Sequence, residues 1–448
     1  MAFLSITSDN EKLSYILYKN PNTGLIPKEH RQGFLFGYYT TDTDTGEINE
    51  QEYNIAFIDQ PDEISFGKPD QEFAYLDANE YDSPQFLLSA CREYLNHLST
   101  DTPKESIVEI DTPKDITITI PYLHIHNDMY IKKFNEALPD LSIETEELTK
   151  NRYKVTITGN CTIRYAVDYL QLLGGFLLII SPTDSVYLQD SFVEKFIGIL
   201  RRLKPTYYLT SLFKTHFLSR SPKVFESLKD QLKDCVKEEV EFCFGSSQTA
   251  RINKVEELLN FGNKIYDIGC GEGTYFNLAR KIDPKMYHAA DKSEKAVSAA
   301  NSRAHRKRLE NVTAEQLTVD ELFDKYPLEE NDEIIVAEVI EHMPKKEASL
   351  FVQSILRRAF NDPNIKIGRI IISTPNKNFN ENWNFDEDQM RHDDHDWEPT
   401  PEEFASFIFN AISESGCKAR SEFTTAGDIV NGQGLTQLVI ITPPISND

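Results

Sequence analysis

At 448 residues, with 40% hydrophobic and 27% charged side chains, the chain has the make-up of a soluble globular protein of two or three domains. A formal net charge of -25 excludes broad electrostatic adhesion to nucleic acid, so any contact with a polyanion must be local. The longest apolar run, residues 172–180, is too short to span a membrane; with Gly174 and Gly175 inside it, it reads as a buried strand with its turn.

The first residues carry neither a basic segment nor a long apolar one, which predicts no signal peptide. Six scattered cysteines form no C-x-x-C pair, which argues against a zinc knuckle or a disulfide framework and fits a reducing cytoplasm. In chain order, strands are expected over 33–40 and 53–58 around the polar loop 41–46. A helix from Ser83 or Pro84 to about Leu98 sets Phe86, Leu87, Ala90, Tyr94 and Leu98 near one face. Residues 100–115 read as a linker or exposed loop. A strictly alternating strand over 116–120, a helix from about Asp128, strands over 141–145 and 153–157, and a helix from near Thr162 follow. This βαββα order predicts a split βαβ, ferredoxin-like subdomain. Helices over 192–203 and 222–244 lead to a boundary near Gly245. The expected domains are therefore an α+β one over 1–245, with an internal break near 100–115 as a second reading, and an α/β one over 246–448.

The second domain is organised by residues 264–291. An apolar run ends in Asp267-Ile268-Gly269-Cys270-Gly271-Glu272-Gly273, a helix over about 273–281 follows, and a second apolar run ends in Asp291. This is a βαβ unit whose glycines let the backbone pass close beneath a ligand. The third glycine comes one residue too early for the dinucleotide G-x-G-x-x-G. Asp291 is placed to accept hydrogen bonds from two ribose hydroxyls. Downstream, Ser293 is expected to cap a helix to about Arg308. A buried parallel strand covers 331–337, helix 345–360 and strand 368–373 follow, and a capping box at Thr400–Glu403 opens a helix to about Ser415. Strands near 418–424 and 438–442 close the sheet. The basic clusters at Arg303, Arg306, Lys307 and Arg308, and at Arg201, Arg202 and Lys204, read as solvated helix faces, with a local nucleic-acid contact as the second reading.

Two further clusters narrow the chemistry. Strand 331–337 runs into Glu338-Val339-Ile340-Glu341-His342, off the carboxyl end of a sheet, where ligands bind in open α/β folds. If helical, the spacing puts both acids and the imidazole on one face. They then read as a divalent-metal set or as a helix start whose acids suit the dipole. The second cluster, Arg391-His392-Asp393-Asp394-His395-Asp396-Trp397-Glu398, follows the strand ending in Thr374-Pro375-Asn376, and either histidine can complete a metal site.

The glycine turn with Asp291 resembles the first two motifs of S-adenosylmethionine-dependent methyltransferases. That resemblance implies a Rossmann-like domain with cofactor contacts at Asp267, Gly269, Gly271, Gly273, Asp291 and Ser293. Together with E-x-x-E-H and the later D-H segment, the chain resembles the HEN-type RNA 3'-terminal ribose 2'-O-methyltransferases of bacterial RNA repair. Leu4-Ser5-Ile6-Thr7, Leu17-Tyr18-Lys19-Asn20-Pro21 and 168–174 look like that family's amino-terminal domain. The resemblance implies a catalytic divalent metal, manganese or magnesium, on Glu338, Glu341, His342 and His395. His395 is preferred over His392 because it directly precedes Asp396-Trp397-Glu398. It also implies S-adenosyl-L-methionine as methyl donor, RNA with a free 2',3'-diol as substrate, and a polynucleotide kinase-phosphatase-ligase as partner supported by the amino-terminal domain. One departure stands out: Pro399-Thr400-Pro401 occupies the place of the family's Trp-Thr-Arg. A ligase-activating scaffold with a vestigial transferase, and a methyltransferase for a small molecule or protein, are the alternatives.

Overall fold

The computed structural model describes residues 2–30, 33–59, 82–99, 111–181, 190–219, 221–282, 286–362, 367–383, 385 and 389–444. They form two compact units, divided between Lys237 and Glu238, slightly before the boundary expected at 245.

The first unit is built on one antiparallel sheet. Its strands are β1 (Ala2–Ser8), β2 (Ile26–His30), β3 (Gly33–Thr41), β4 (Ile48–Asp59), β5 (Lys114–His124), β6 (Ser142–Thr149) and β7 (Arg152–Cys161), in the spatial order β2-β3-β4-β1-β5-β7-β6. β7 lies antiparallel between β5 and β6, so β5, helix Met129–Ala137 and β6 form the expected split βαβ. It is not a separate subdomain. β1, from the chain's first residues, pairs with β5 on one side and β4 on the other, making the sheet continuous. Most of the expected linker lies outside the described residues.

Residues 172–180 are helical rather than a strand. They end the 18-residue helix Ile163–Ile180, whose start is capped where the Thr162 side chain accepts the Tyr165 N–H. Fourteen of its residues are buried, and a segment apolar all round carries no periodicity to separate helix from strand. By length and composition alone it could cross a membrane, but 78% of it is buried inside the protein. Gly174 and Gly175 give neighbours room: a Cβ would come 3.0 Å from Leu88 and 2.5 Å from Phe196. The helix expected over 222–244 is shorter, Pro222–Lys233. Helix Tyr207–Phe213 was not anticipated.

The second unit holds an eight-stranded mixed sheet. β8 (Val240–Glu241), β9 (Ile265–Ile268), β10 (Tyr287–Ala290), β11 (Val312–Glu315), β12 (Glu333–Ala337), β13 (Arg369–Pro375), β14 (Arg420–Val430) and β15 (Gln433–Thr442) lie in the order β11-β10-β9-β12-β13-β15-β14-β8. The first five in that order are parallel, and the last three antiparallel. β9 is buried on both faces, as its unbroken apolar run requires. The sheet's order reverses between β9 and β12, so loops leaving their carboxyl ends flank one crevice. The helices include α1 (Ser247–Leu258), α2 (Glu294–Arg306), α3 (Lys345–Phe360) and α4 (Pro401–Ser415). The turn after β9 continues into a tight 3-10 segment, Phe276–Lys281, where an α-helix was expected. β11 and helix Val319–Lys325 were not anticipated, both being too short to carry a clear period.

Candidate active site

The glycine turn has left-handed backbone at all three glycines: φ is 75° at Gly269, 52° at Gly271 and 79° at Gly273. At Gly269 a Cβ would also sit 2.5 Å from Val339, whereas at Gly271 it would meet no protein atom, leaving that backbone open to a ligand. The turn is pinned to the end of β10, where the Gly269 and Cys270 N–H groups donate to the Ala290 carbonyl at 2.8 and 3.1 Å. Asp291 accepts from the Gly271 and Ser293 N–H groups, both at 2.9 Å. Its carboxylate is thereby fixed at the rim of the crevice. The Ser293 hydroxyl accepts the Ala296 N–H and starts α2. Asp267 is buried beneath the turn and accepts the Tyr287 hydroxyl at 2.8 Å. Burial, reinforced by the charge of Asp291, raises its carboxyl to about 7, although the Tyr287 bond opposes the rise.

Across the crevice, β12 ends in a second built turn. Glu338 has φ of 58°, so it does not belong to a helix with Glu341 and His342, and the expected single helical face does not form. Glu341 and His342 instead lie on the 3-10 turn Ile340–His342. Glu338 accepts the Ser373 hydroxyl at 3.0 Å and pairs with Arg251 at 2.7 Å. Arg251, from α1, also donates to the Tyr275 hydroxyl at 3.0 Å. Burial works against its charge, but Glu338 and Tyr275 outweigh that and strengthen the cation. Nothing in the local sequence singles out Arg251; a charged residue facing the sheet was its one signal.

Glu341 is fully buried. One carboxylate oxygen accepts from Thr374 Oγ1 at 3.2 Å, and the other, Oε1, has no hydrogen-bond partner. Burial first, then the nearby Glu338 charge, pushes its carboxyl well above the usual range. The loop carrying the second histidine cluster is tied to this turn: the Asp396 N–H donates to the Glu341 carbonyl at 2.8 Å and Trp397 Nε1 to the Ile340 carbonyl at 2.9 Å. His395 is thereby delivered, buried, with its ring 4.8 Å from that of His342. Ligand atoms of Glu341, His342 and His395 all lie within 4.8 Å of one another. His392 is exposed at the loop surface.

The histidines are oriented from behind. His395 Nδ1 lies 2.6 Å from Glu398 Oε1, and His342 Nδ1 lies 3.2 Å from the Asp394 carbonyl, which leaves Nε2 of each ring for a metal. Burial would raise the Glu398 carboxyl, but hydrogen bonds from His395, Asn380 and the Arg391 N–H prevail and lower it. A divalent cation fits this donor set. It would satisfy the orphaned Glu341 oxygen, and its oxygen and nitrogen ligands suit a hard or borderline ion. The structure brings three of the four expected ligands together; Glu338 stands beside them, engaged by Arg251.

Comparison with known proteins gives this geometry a family. A profile described as the Hen1 N-terminal domain matches residues 3–237, and one described as a methyltransferase domain matches residues 259–418. A chain of the "Pnkp1/Rnl/Hen1 RNA repair complex" is 23% identical with a TM-score of 0.77, covering 98% of this chain and 99% of that one. The methyltransferase domain of bacterial CtHen1 is 24% identical over 44% of this chain and 99% of that one, TM-score 0.36. The small RNA methyltransferase HEN1 is 21% identical over 44% of this chain and 25% of that one, TM-score 0.36. No curated protein sequence matches.

Proposed function

Since the chain belongs to the Hen1 family, through a Hen1 N-terminal domain joined to a methyltransferase domain, we propose that it methylates the 2'-hydroxyl of the 3'-terminal ribose of RNA, using S-adenosylmethionine and a divalent metal. The observation that carries this reading is the convergence of Glu341, His342 and His395 across the crevice from the Gly269 turn.

The open backbone at Gly271 and the fixed carboxylate of Asp291 suit an adenosine, with Asp291 accepting from the ribose hydroxyls. Glu341, His342 and His395 would hold the cation, with Glu338 either joining them or steering Arg251. When bound, the cation supplies Lewis acidity that makes a ribose hydroxyl a competent nucleophile at neutral pH. The protein's own work is positioning. Glu398 and Asp394 fix the two imidazoles, and Trp397 locks the loop onto the turn. A site that holds both hydroxyls of a terminal ribose would select a free 3' end over an internal nucleotide, and RNA over DNA, without reading bases.

For the first unit we propose a partner-binding role beside a kinase-phosphatase-ligase of RNA repair. The related fold comes from a chain of the "Pnkp1/Rnl/Hen1 RNA repair complex". The six cysteines form no disulfide among the described residues, which suits the cytoplasmic location we propose.

The test is a methyl-transfer assay on RNA ending in a 2',3'-diol against the same RNA ending in a 3'-phosphate, with manganese, magnesium or chelator. Transfer only to the diol, abolished by chelation, is expected. Equal transfer to both ends, or transfer that ignores the chelator, would overturn the metal-diol reading. Inactivity on every RNA, with ligase activation intact, would favour the scaffold alternative.

A further inference from the structure

Along helix α2, the second unit carries a groove of about 800 Å³ lined by Glu272, Ala299, Ser302, Arg303, Arg306 and Lys307. Glu272 belongs to the glycine turn, so the groove starts beside the crevice and follows α2 toward its last turn. Arg280, from the 3-10 segment Phe276–Lys281, joins its basic end by donating to the Lys307 carbonyl at 3.2 Å, and Lys307 Nζ reaches Asn277 at 2.8 Å. Arg280, Arg303, Arg306 and Lys307 thus crowd together, and among the described residues none of them forms an ion pair with a carboxylate. Burial and then the charges of Arg303, Arg280 and Arg306 weaken the Lys307 cation, the mark of cations facing one another.

In a chain whose net charge is -25, four neighbouring cations that pair with no carboxylate, Glu272 at the groove's start included, are out of keeping with the rest of the composition. The helix dipole accounts for a basic last turn on α2. It does not account for Arg280 coming from another element to join it. The groove is also far larger than one phosphate needs, and it opens beside the crevice.

We propose that this groove is a track for the phosphodiester backbone of the RNA substrate upstream of its 3' end, with Arg280, Arg303, Arg306 and Lys307 contacting phosphates irrespective of sequence. The proposal rests on the RNA reading above. It deepens that reading by giving an acidic protein the local cationic surface that RNA requires.

The experiment uses the full chain and the triple variant Arg303→Gln, Arg306→Gln, Lys307→Gln, with thermal melting and S-adenosylmethionine binding as controls for folding. Fluorescence anisotropy follows a labelled 20-nucleotide RNA ending in a diol or a 3'-phosphate across a salt series. The variant should bind both RNAs about tenfold more weakly, with a salt slope smaller by about 0.7 per lost contact. Its KM for RNA should rise in the methyl-transfer assay while kcat holds. Equal affinity and slope in variant and wild type would overturn the track. So would competition by AMP as effective as by RNA at equal phosphate concentration, which would mark a mononucleotide pocket. If binding depends on these cations but no RNA is methylated, the track stands and the methylation reading falls. If RNA is methylated with unchanged KM, the reverse holds. Should the triple variant melt early, Arg306→Gln alone, at an exposed position, supplies the comparison.

Discussion

His395 and His392 lie three residues apart with their rings 5.1 Å from each other, yet only His395 is buried, backed by Glu398, and within reach of Glu341 and His342. His395→Ala should therefore abolish metal-dependent transfer with S-adenosylmethionine binding intact, while His392→Ala costs little. A dead His392 variant in that assay would reassign the ligand. Glu398→Gln removes the charge that fixes the His395 ring and should weaken metal affinity by about 10- to 100-fold, read by metal titration; an unchanged affinity would show that packing alone orients the ring. Asp267 offers a pH test. Its carboxyl rises from 3.8 to about 7 on burial. The protonated form is therefore the comfortable one in the folded state. Its contribution is complete below the unfolded value, near 4, and is lost as pH rises through about 7. Asp267→Asn escapes that loss. The variant should gain on wild type by a few kcal/mol between pH 5 and pH 8, seen as a widening difference in Tm. A difference independent of pH would show that burial is not the cause.

The elements around the crevice are held by local devices of unequal strength. At Gly269 the positive φ and the 2.5 Å approach to Val339 act together, so Gly269→Ala both strains the turn and pushes on the segment leading to Glu341. Calorimetry should show lost S-adenosylmethionine binding, and the metal titration a weakened site. At Gly271 a Cβ meets no protein atom, so Gly271→Ala should cost binding through its φ and the ligand alone and leave the metal site undisturbed; equal damage to both sites would disprove this separation. α4 starts with a reciprocal capping box, the Thr400 hydroxyl accepting the Glu403 N–H and Glu403 accepting the Thr400 N–H. Thr400→Ala should cost about 1 kcal/mol of stability. That start also ends the loop carrying His395, so the metal site should loosen in step.

For the molecule as a whole, the division at Lys237/Glu238 makes a prediction about fragments. β8 pairs Val240 and Glu241 with Val430 and Ile429, and the Cys243 N–H donates to Asp428 at 2.7 Å. A fragment of residues 238–448 should thus fold alone and bind S-adenosylmethionine. A fragment beginning at 246 should melt lower, because it exposes the edge of β14. Indistinguishable melting of the two would mean that β8 contributes nothing to the second unit. The 238–448 fragment should also methylate a short RNA, if the first unit serves a partner rather than the chemistry.

Much of this was legible in the sequence because its cause is local. The capping box at Thr400, the Ser293 cap, the glycine turn and the apolar run of β12 each depend on residues a few positions apart, and the structure has them all. The resemblance likewise separates His395 from His392; in the structure the first is buried and the second exposed. What failed to read from sequence depends on partners far along the chain. Residues 172–180 are helical because Leu88, Phe196 and their neighbours close around them. Val240 and Glu241 form a strand because β14 lies beside them. Glu338 leaves the expected helical face because its backbone turns left-handed at the end of β12, where Arg251 comes from α1 to meet it. Local sequence sets caps, turns and periodicity. Burial and pairing are set by whichever distant segment arrives, and only the tertiary structure decides that.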